Sequence, residues 1–307
     1  MPEPELAVRV RGLVKSYADV HAVRGIDLDV RRGEIFALLG PNGAGKTTTV
    51  EILEGYRGRD AGEVTVLGQD PVKNRRKLKP LVGIVLQTTG VEPYLTVSET
   101  LRMYARLYPH PRPVEEVMTL AGLTAKRDSR VTKLSGGQKR RLDVAVALVG
   151  DPELLFLDEP TTGFDPSARR EAWEVVKNLA GLGKTVLLTT HFMDEAQYLA
   201  DRVAVIAAGR IVAEGTPATI GERNLASATI RYRLPDDAVP PDGLAGGTRD
   251  AEGFVEISSG DVVRDLNRLT GWAIEHRAGL DGLEVTRPTL EDVYLALTGD
   301  SLTGGAG

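Results

Sequence analysis

The stretch Gly40-Pro-Asn-Gly-Ala-Gly-Lys-Thr47 fits G-x-x-x-x-G-K-[ST] and directly follows the apolar run Glu34–Leu39. Glycines at 40, 43 and 45 let the backbone curl until successive N–H groups converge on phosphate oxygens. Lys46 then reaches the outer phosphates as a point charge, and the Thr47 hydroxyl can sit on Mg²⁺. A second chemical element is Leu154-Leu-Phe-Leu-Asp158-Glu159-Pro160. Its acids end a buried strand, where ligands of open α/β sheets gather. Asp158 would hold hydrated Mg²⁺, and Glu159 would orient and deprotonate an attacking water.

A third element, Leu134-Ser-Gly-Gly-Gln-Lys-Arg-Arg141, opens an amphipathic run with Leu142, Ala145, Val146 and Val149 on one face. It reads as a helix N-terminus. Lys139, Arg140 and Arg141 occupy first turns where the helix dipole disfavours cations, which makes sense if an anion docks there. The chain would then own two anion sites.

The elements that position these groups follow from apolar patterning. Glu34–Leu39, Leu154–Leu157, Thr185–Leu188 and Val203–Ile206 are continuously apolar and read as strands of a parallel sheet buried on both faces. Val8–Leu13 and Ile26–Val30 alternate and predict an antiparallel edge region. Between Gln87 and Val131 the pattern turns helical, with Val97–Leu107 and Pro113–Ala121 as helices and Thr96-Val-Ser-Glu99 as a capping box. From about Leu225 the texture changes to strands at Ala228–Leu234, Gly253–Ser258 and Gly282–Thr286, with helices at Asp261–His276 and Leu290–Leu297. The expected organisation is a catalytic domain over 5–220 with a helical subdomain at about 88–150. A small α+β accessory domain follows over 225–300, and a disordered tail over 301–307.

Bulk properties narrow the classes. The 307 residues carry a net charge of −5, which does not support a nucleic-acid-binding surface. Cysteine is absent, so disulfides and thiolate metal sites are excluded. No two of the four histidines have metal-ligand spacing, leaving Mg²⁺ as the expected metal. The start, MPEPELAVRV, is not a secretory signal, and the longest apolar runs, such as Val203–Ala208, are strand-sized rather than membrane-spanning.

With Gly40–Thr48, Leu134–Gln138 and Leu154–Pro160 in this order, residues 5 to about 220 resemble an ATP-binding cassette (ABC) ATPase. The resemblance implies a P-loop NTPase core: a mostly parallel sheet, an antiparallel edge and a helical subdomain. It implies ATP and Mg²⁺ as cofactors, with Gly40, Pro41, Asn42, Gly43, Ala44, Gly45, Lys46, Thr47 and Thr48 around the nucleotide. It puts Tyr17 on the adenine, Gln87 on Mg²⁺ and the attacking water, Asp165 at the protomer boundary and His191 on the terminal phosphate. Taken alone, Tyr17 reads as packing, Gln87 as a polar strand end and His191 as a helix cap. Phe164 stands where most members have leucine.

In this family two cassettes meet head to tail, each ATP lying between one chain's phosphate loop and the other's LSGGQ. Ser135, Gly136, Gly137 and Gln138 would thus serve a partner's nucleotide, which explains a second anion site. Lys139–Arg141 either strengthen that site or form a solvated helix face. The segment Arg287–Thr298 resembles the tail of daunorubicin-resistance exporter ATPases, whose permeases are separate polypeptides. The expectation is therefore an ATP-hydrolysing export subunit, a homodimer on the cytoplasmic face of the cell membrane beneath a permease, moving a hydrophobic compound. Alternatives from other classes are a soluble ABC ATPase, as in metal-cluster scaffold assembly, and an importer ATPase.

Overall fold

The computed structural model describes residues 5–85, 90–220, 228–234, 248–250 and 253–286. The chain divides into two compact units, Met1–Pro217 and Ala218–Gly307.

The first unit opens with β1 (Leu6–Tyr17), β2 (Val20–Arg31), β3 (Ile35–Leu39), α1 (Lys46–Leu53), β4 (Ala61–Val66), α2 (Arg75–Leu78) and β5 (Val82–Val85). Helices α3 (Val97–Ala105), α4 (Val114–Leu120) and α5 (Gly136–Leu148) come next. It closes with β6 (Leu154–Asp158), α6 (Pro166–Gly181), β7 (Thr185–Thr190), α7 (Met193–Leu199), β8 (Arg202–Ala207) and β9 (Arg210–Gly215).

Among the described residues, six strands form one sheet in the order β5-β6-β7-β3-β8-β9. All neighbours are parallel except β8 and β9. Every residue of β3 and β7 is buried, as expected of strands covered on both faces. The alternating strands form a separate antiparallel sheet, β2-β1-β4, so the antiparallel edge of the large sheet is β9 instead. Val8 and Val10 of β1 point to a core shared with Phe36, Leu38 and the α1 residues Val50 and Leu53, while Arg9 stays outside.

The capping box at Thr96 is present: its Oγ1 accepts from the Glu99 N–H at 3.2 Å, and Glu99 Oε2 accepts from the Thr96 N–H at 2.8 Å. Helix α3 stops at Ala105, two residues before the expected Leu107. Tyr108 precedes Pro109, and a residue before proline is driven out of helical backbone.

In the second unit, β10 (Ala228–Arg233), β11 (Thr248–Arg249), β12 (Phe254–Ser259) and β13 (Asp281–Thr286) form an antiparallel sheet in the order β11-β12-β10-β13. Helix α8 (Val262–His276) joins Leu269 to the sheet residues Ile230, Tyr232, Val255 and Ile257 in one core. Asp261 caps it by accepting from the Arg264 N–H at 3.2 Å. The expected helix at Leu290–Leu297 and the tail over 301–307 lie outside the described residues, as do residues 235–247 and Gln87. Among those described, no helix is long and apolar enough to cross a membrane.

Candidate active site

The phosphate loop leaves β3 at Leu39 and enters α1 at Lys46. Two of its glycines are dictated by geometry. A Cβ at Gly40 would lie 2.3 Å from the Ile206 carbonyl oxygen. One at Gly45, where φ is +103°, would lie 2.4 Å from the Ala22 carbonyl oxygen. The loop is thus pressed against β2 and β8 and leads into the start of α1, where anions are favoured. Asn42, Gly43, Lys46, Thr47, Thr48 and Glu159 line the adjoining cleft of about 300 Å³, together with Val20, His21, Ala22 and Arg24 of β2.

Lys46 is buried, with Nζ donating to the carbonyls of Gly40 at 2.8 Å and Pro41 at 3.2 Å. It also lies 3.5 Å from Glu159 Oε1. Burial lowers the ammonium pKa below its ordinary value, and the attraction of Glu159 offsets part of that.

Glu159 follows the last residue of β6 with φ +44°, a left-handed backbone that costs a non-glycine residue about 1–2 kcal/mol. Its N–H donates to Thr189 Oγ1 at 3.0 Å, and the same hydroxyl donates to Asp158 Oδ1 at 2.5 Å. Thr189 thereby orients both acids. Glu159 Oε2 accepts from Thr162 Oγ1 at 3.0 Å, and Oε1 lies 3.2 Å from His191 Nδ1. Burial pushes the Glu159 carboxyl up, but the Thr162 hydrogen bond, Lys46 and His191 outweigh it and leave the pKa below its ordinary value. The carboxylate is held ionised, ready to accept a proton-bearing donor such as water.

Glu159, Lys46 and His191 therefore meet in one cluster, with Thr47 and Thr48 in the same cleft. Tyr17 pairs with Val20 across the β1–β2 hairpin at the cleft rim, its ring 5.4 Å from both Lys15 Nζ and the Arg57 guanidinium. Ser135, Gly136, Gly137 and Gln138 are not among the residues lining this cleft. Asp165 caps α6, accepting from the N–H groups of Ser167 and Ala168 at 2.9 and 3.0 Å.

Ser135 caps α5 in a second capping box: its Oγ accepts from the Gln138 N–H at 3.3 Å, and Gln138 Oε1 accepts from the Ser135 N–H at 3.1 Å. The amides of Gly136 and Gly137 remain as the turn's orphan donors. The S-x-x-Q spacing carries this signal.

The expectation for Lys139–Arg141 is corrected at Arg140. This side chain is only 6% exposed, so it is not part of a solvated helix face. Its Nε donates to the Pro160 carbonyl at 3.0 Å and Nη2 to the Asp158 carbonyl at 2.9 Å. Arg141 pairs with Glu171 at 3.2 Å. Sequence reasoning also missed Thr189 and Thr162, hydroxyls two residues before His191 and three after Glu159.

The donors suit Mg²⁺. Asp158 and Thr47 offer one carboxylate and one hydroxyl, and among the described residues no group of three or more His, Cys, Asp or Glu could hold a metal. Mg²⁺ beside phosphates is held this way, by few protein ligands, rather than in an all-protein cage.

The family model described as ABC transporter matches residues 23–162, and one for the C-terminal domain of ABC transporter domain-containing protein-like chains matches 228–289. The Nod factor export ATP-binding protein I of Burkholderia orbicola is 41% identical over 295 residues, covering 94% of this chain and 96% of that protein. Its namesake in Rhizobium meliloti is 40% identical over 309 residues, covering 98% and 90%. Among solved structures, cbiO1 from Clostridium perfringens, part of the ABC transporter complex cbiONQ, aligns over 72% of this chain and 93% of its own. Its identity is 29% and its TM-score 0.66. The dimeric cassette MJ0796 bound to ADP and Pi shares the fold at 24% identity, with a TM-score of 0.60 over 68% of this chain and 98% of its own. Phosphate loop, acid pair and relatives spanning nearly the whole chain agree: the chain belongs to the ABC transporter family, as an ATP-binding, ATP-hydrolysing subunit.

Proposed function

We propose that the chain drives export of a hydrophobic compound through a separately encoded membrane permease, working at the cytoplasmic face of the membrane as a head-to-tail homodimer. The observation that carries the ATPase chemistry is the meeting of Lys46, Glu159 and His191 within 3.5 Å at the mouth of the phosphate loop. The direction of transport is supported by relatives named for Nod factor export. The resemblance of Arg287–Thr298 to daunorubicin-resistance ATPases supports a hydrophobic cargo.

The chain's own residues divide the work. The loop amides and Lys46 bind and hold the phosphates. Glu159 orients a water and receives its proton on a carboxylate oxygen, and His191 holds that carboxylate while facing the terminal phosphate. Thr47 and Asp158, with Gln87, would hold Mg²⁺, which supplies charge neutralisation on the phosphates when bound. In the dimer, Ser135 and the amides of Gly136 and Gly137 complete the partner's γ-phosphate site. An isologous interface makes that exchange twice.

The test is reconstitution in vesicles with the proposed permease. ATP-dependent efflux of a fluorescent hydrophobic dye, abolished by Lys46→Ala, is the expected result. ATP turnover without dye movement, with uptake driven by a binding protein instead, would overturn export.

A further inference from the structure

Glu159 needs something to hold its backbone. A non-glycine residue at φ +44° persists only where its surroundings fix it. The two peptide carbonyls that flank it, those of Asp158 and Pro160, are both taken by one guanidinium, that of Arg140. A planar fork is suited to bridging two acceptors at a fixed spacing, and charge-assisted hydrogen bonds are about twice as strong as neutral ones. From the other side, Thr161 Oγ1 donates to Glu195 Oε1 at 2.7 Å, a buried carboxylate that also accepts from Trp173 Nε1 at 3.0 Å. The turn carrying the general base is thus gripped from α5 on one side and from α7, the helix after His191, on the other.

Arg140 also sits five residues beyond Ser135 on the same helix, within two turns of its N-terminus. We propose that Arg140 is a positioning residue. By stapling the carbonyls on either side of Glu159 it keeps that acid aimed at Lys46 and His191, and it carries movement of the Ser135–Gly137 helix start to Glu159. The second part rests on the proposed dimer: a helix start engaged by the partner's nucleotide then sets the acid of this chain's own site. One ATP site reports to the other through a single side chain.

The experiment is a double-mutant cycle of Arg140→Lys with Glu159→Gln in the purified full chain, with thermal unfolding and ATP affinity measured for each protein. Lysine keeps the charge but replaces the planar fork, whose Nε and Nη2 reach the Pro160 and Asp158 carbonyls separately, with a single ammonium that lacks that fixed spacing. Arg140→Lys is expected to bind ATP within about threefold of wild type while lowering kcat by about tenfold or more. In the Glu159→Gln background it is expected to change the residual turnover by less than about twofold, because the group it positions is gone. Equal fold-losses in both backgrounds, or unchanged kcat in a folded Arg140→Lys protein, would overturn the positioning role. A general loss of folded protein cannot mimic the expected pattern, since it would reduce ATP-binding stoichiometry and turnover together.

The relay is read from the ATP dependence of the rate. A Hill coefficient above one in wild type that falls to about one in Arg140→Lys supports it. Cooperativity retained in Arg140→Lys overturns the relay alone. A non-cooperative wild type removes the relay together with the two-site reading, while the cycle still decides the positioning role.

Discussion

Glu159 is the residue on which the chemistry turns, and its surroundings define two predictions. Glutamine at 159 keeps the shape but cannot take a proton. Glu159→Gln is therefore expected to bind ATP while losing about 10²-fold or more in turnover, measured as phosphate release. Near-normal turnover would remove its assigned role. The carboxyl pKa is depressed because Thr162, Lys46 and His191 together outweigh burial, so the basic form persists to lower pH than in an ordinary glutamate. Replacing His191 with alanine removes one of those groups. The acidic limb of the ATPase pH profile is then expected to move to higher pH in His191→Ala, and an unmoved limb would contradict the coupling.

A third residue-scale prediction concerns Glu54, at the end of α1. Burial pushes its carboxyl up to about 8, and Asp158 and Glu51 add to the effect. The folded chain then binds a proton that the unfolded chain, with an ordinary carboxyl near 4.3, releases. Stability from this group is complete at acid pH and is lost as pH rises toward about 8. Glu54→Gln is accordingly expected to melt with wild type at pH 4 and above it at pH 9. An equal gap at both would contradict the shift.

At the scale of elements, uniformly apolar runs revealed the buried parallel strands, and Thr96–Glu99 revealed the start of α3. Thr96→Ala is expected to cost about 1 kcal/mol of stability, read as a lowered melting temperature with ATP affinity unchanged. Helix α5 was less legible. Its sequence pattern shows one apolar stripe beginning at Leu142, with Arg140 on the polar face. The helix is buried more widely: Val144, Ala147 and Leu148 form a second buried stripe, and Arg140 heads it at spacings i+4, i+7 and i+8. A buried arginine must be paired, and here two of its partners, the carbonyls of Asp158 and Pro160, lie far along the chain where local periodicity does not register them. The Ser135 capping box, by contrast, was readable from four residues.

At the scale of the whole molecule, the phosphate-loop site and the Ser135 helix start of one chain are separate features, since the latter does not line the cleft of about 300 Å³. The family resemblance implies a use for such a second anion site, namely the nucleotide of another copy. A shared ATP site requires two copies of the chain. It is tested by the light-scattering mass of Glu159→Gln with and without Mg²⁺–ATP, beside the double variant that adds Ser135→Arg. The 33.0 kDa chain is expected to double in mass with ATP, and Ser135→Arg to abolish the doubling without abolishing ATP binding. A doubling that survives Ser135→Arg, or an ATP-loaded Glu159→Gln protein that stays monomeric, would contradict it.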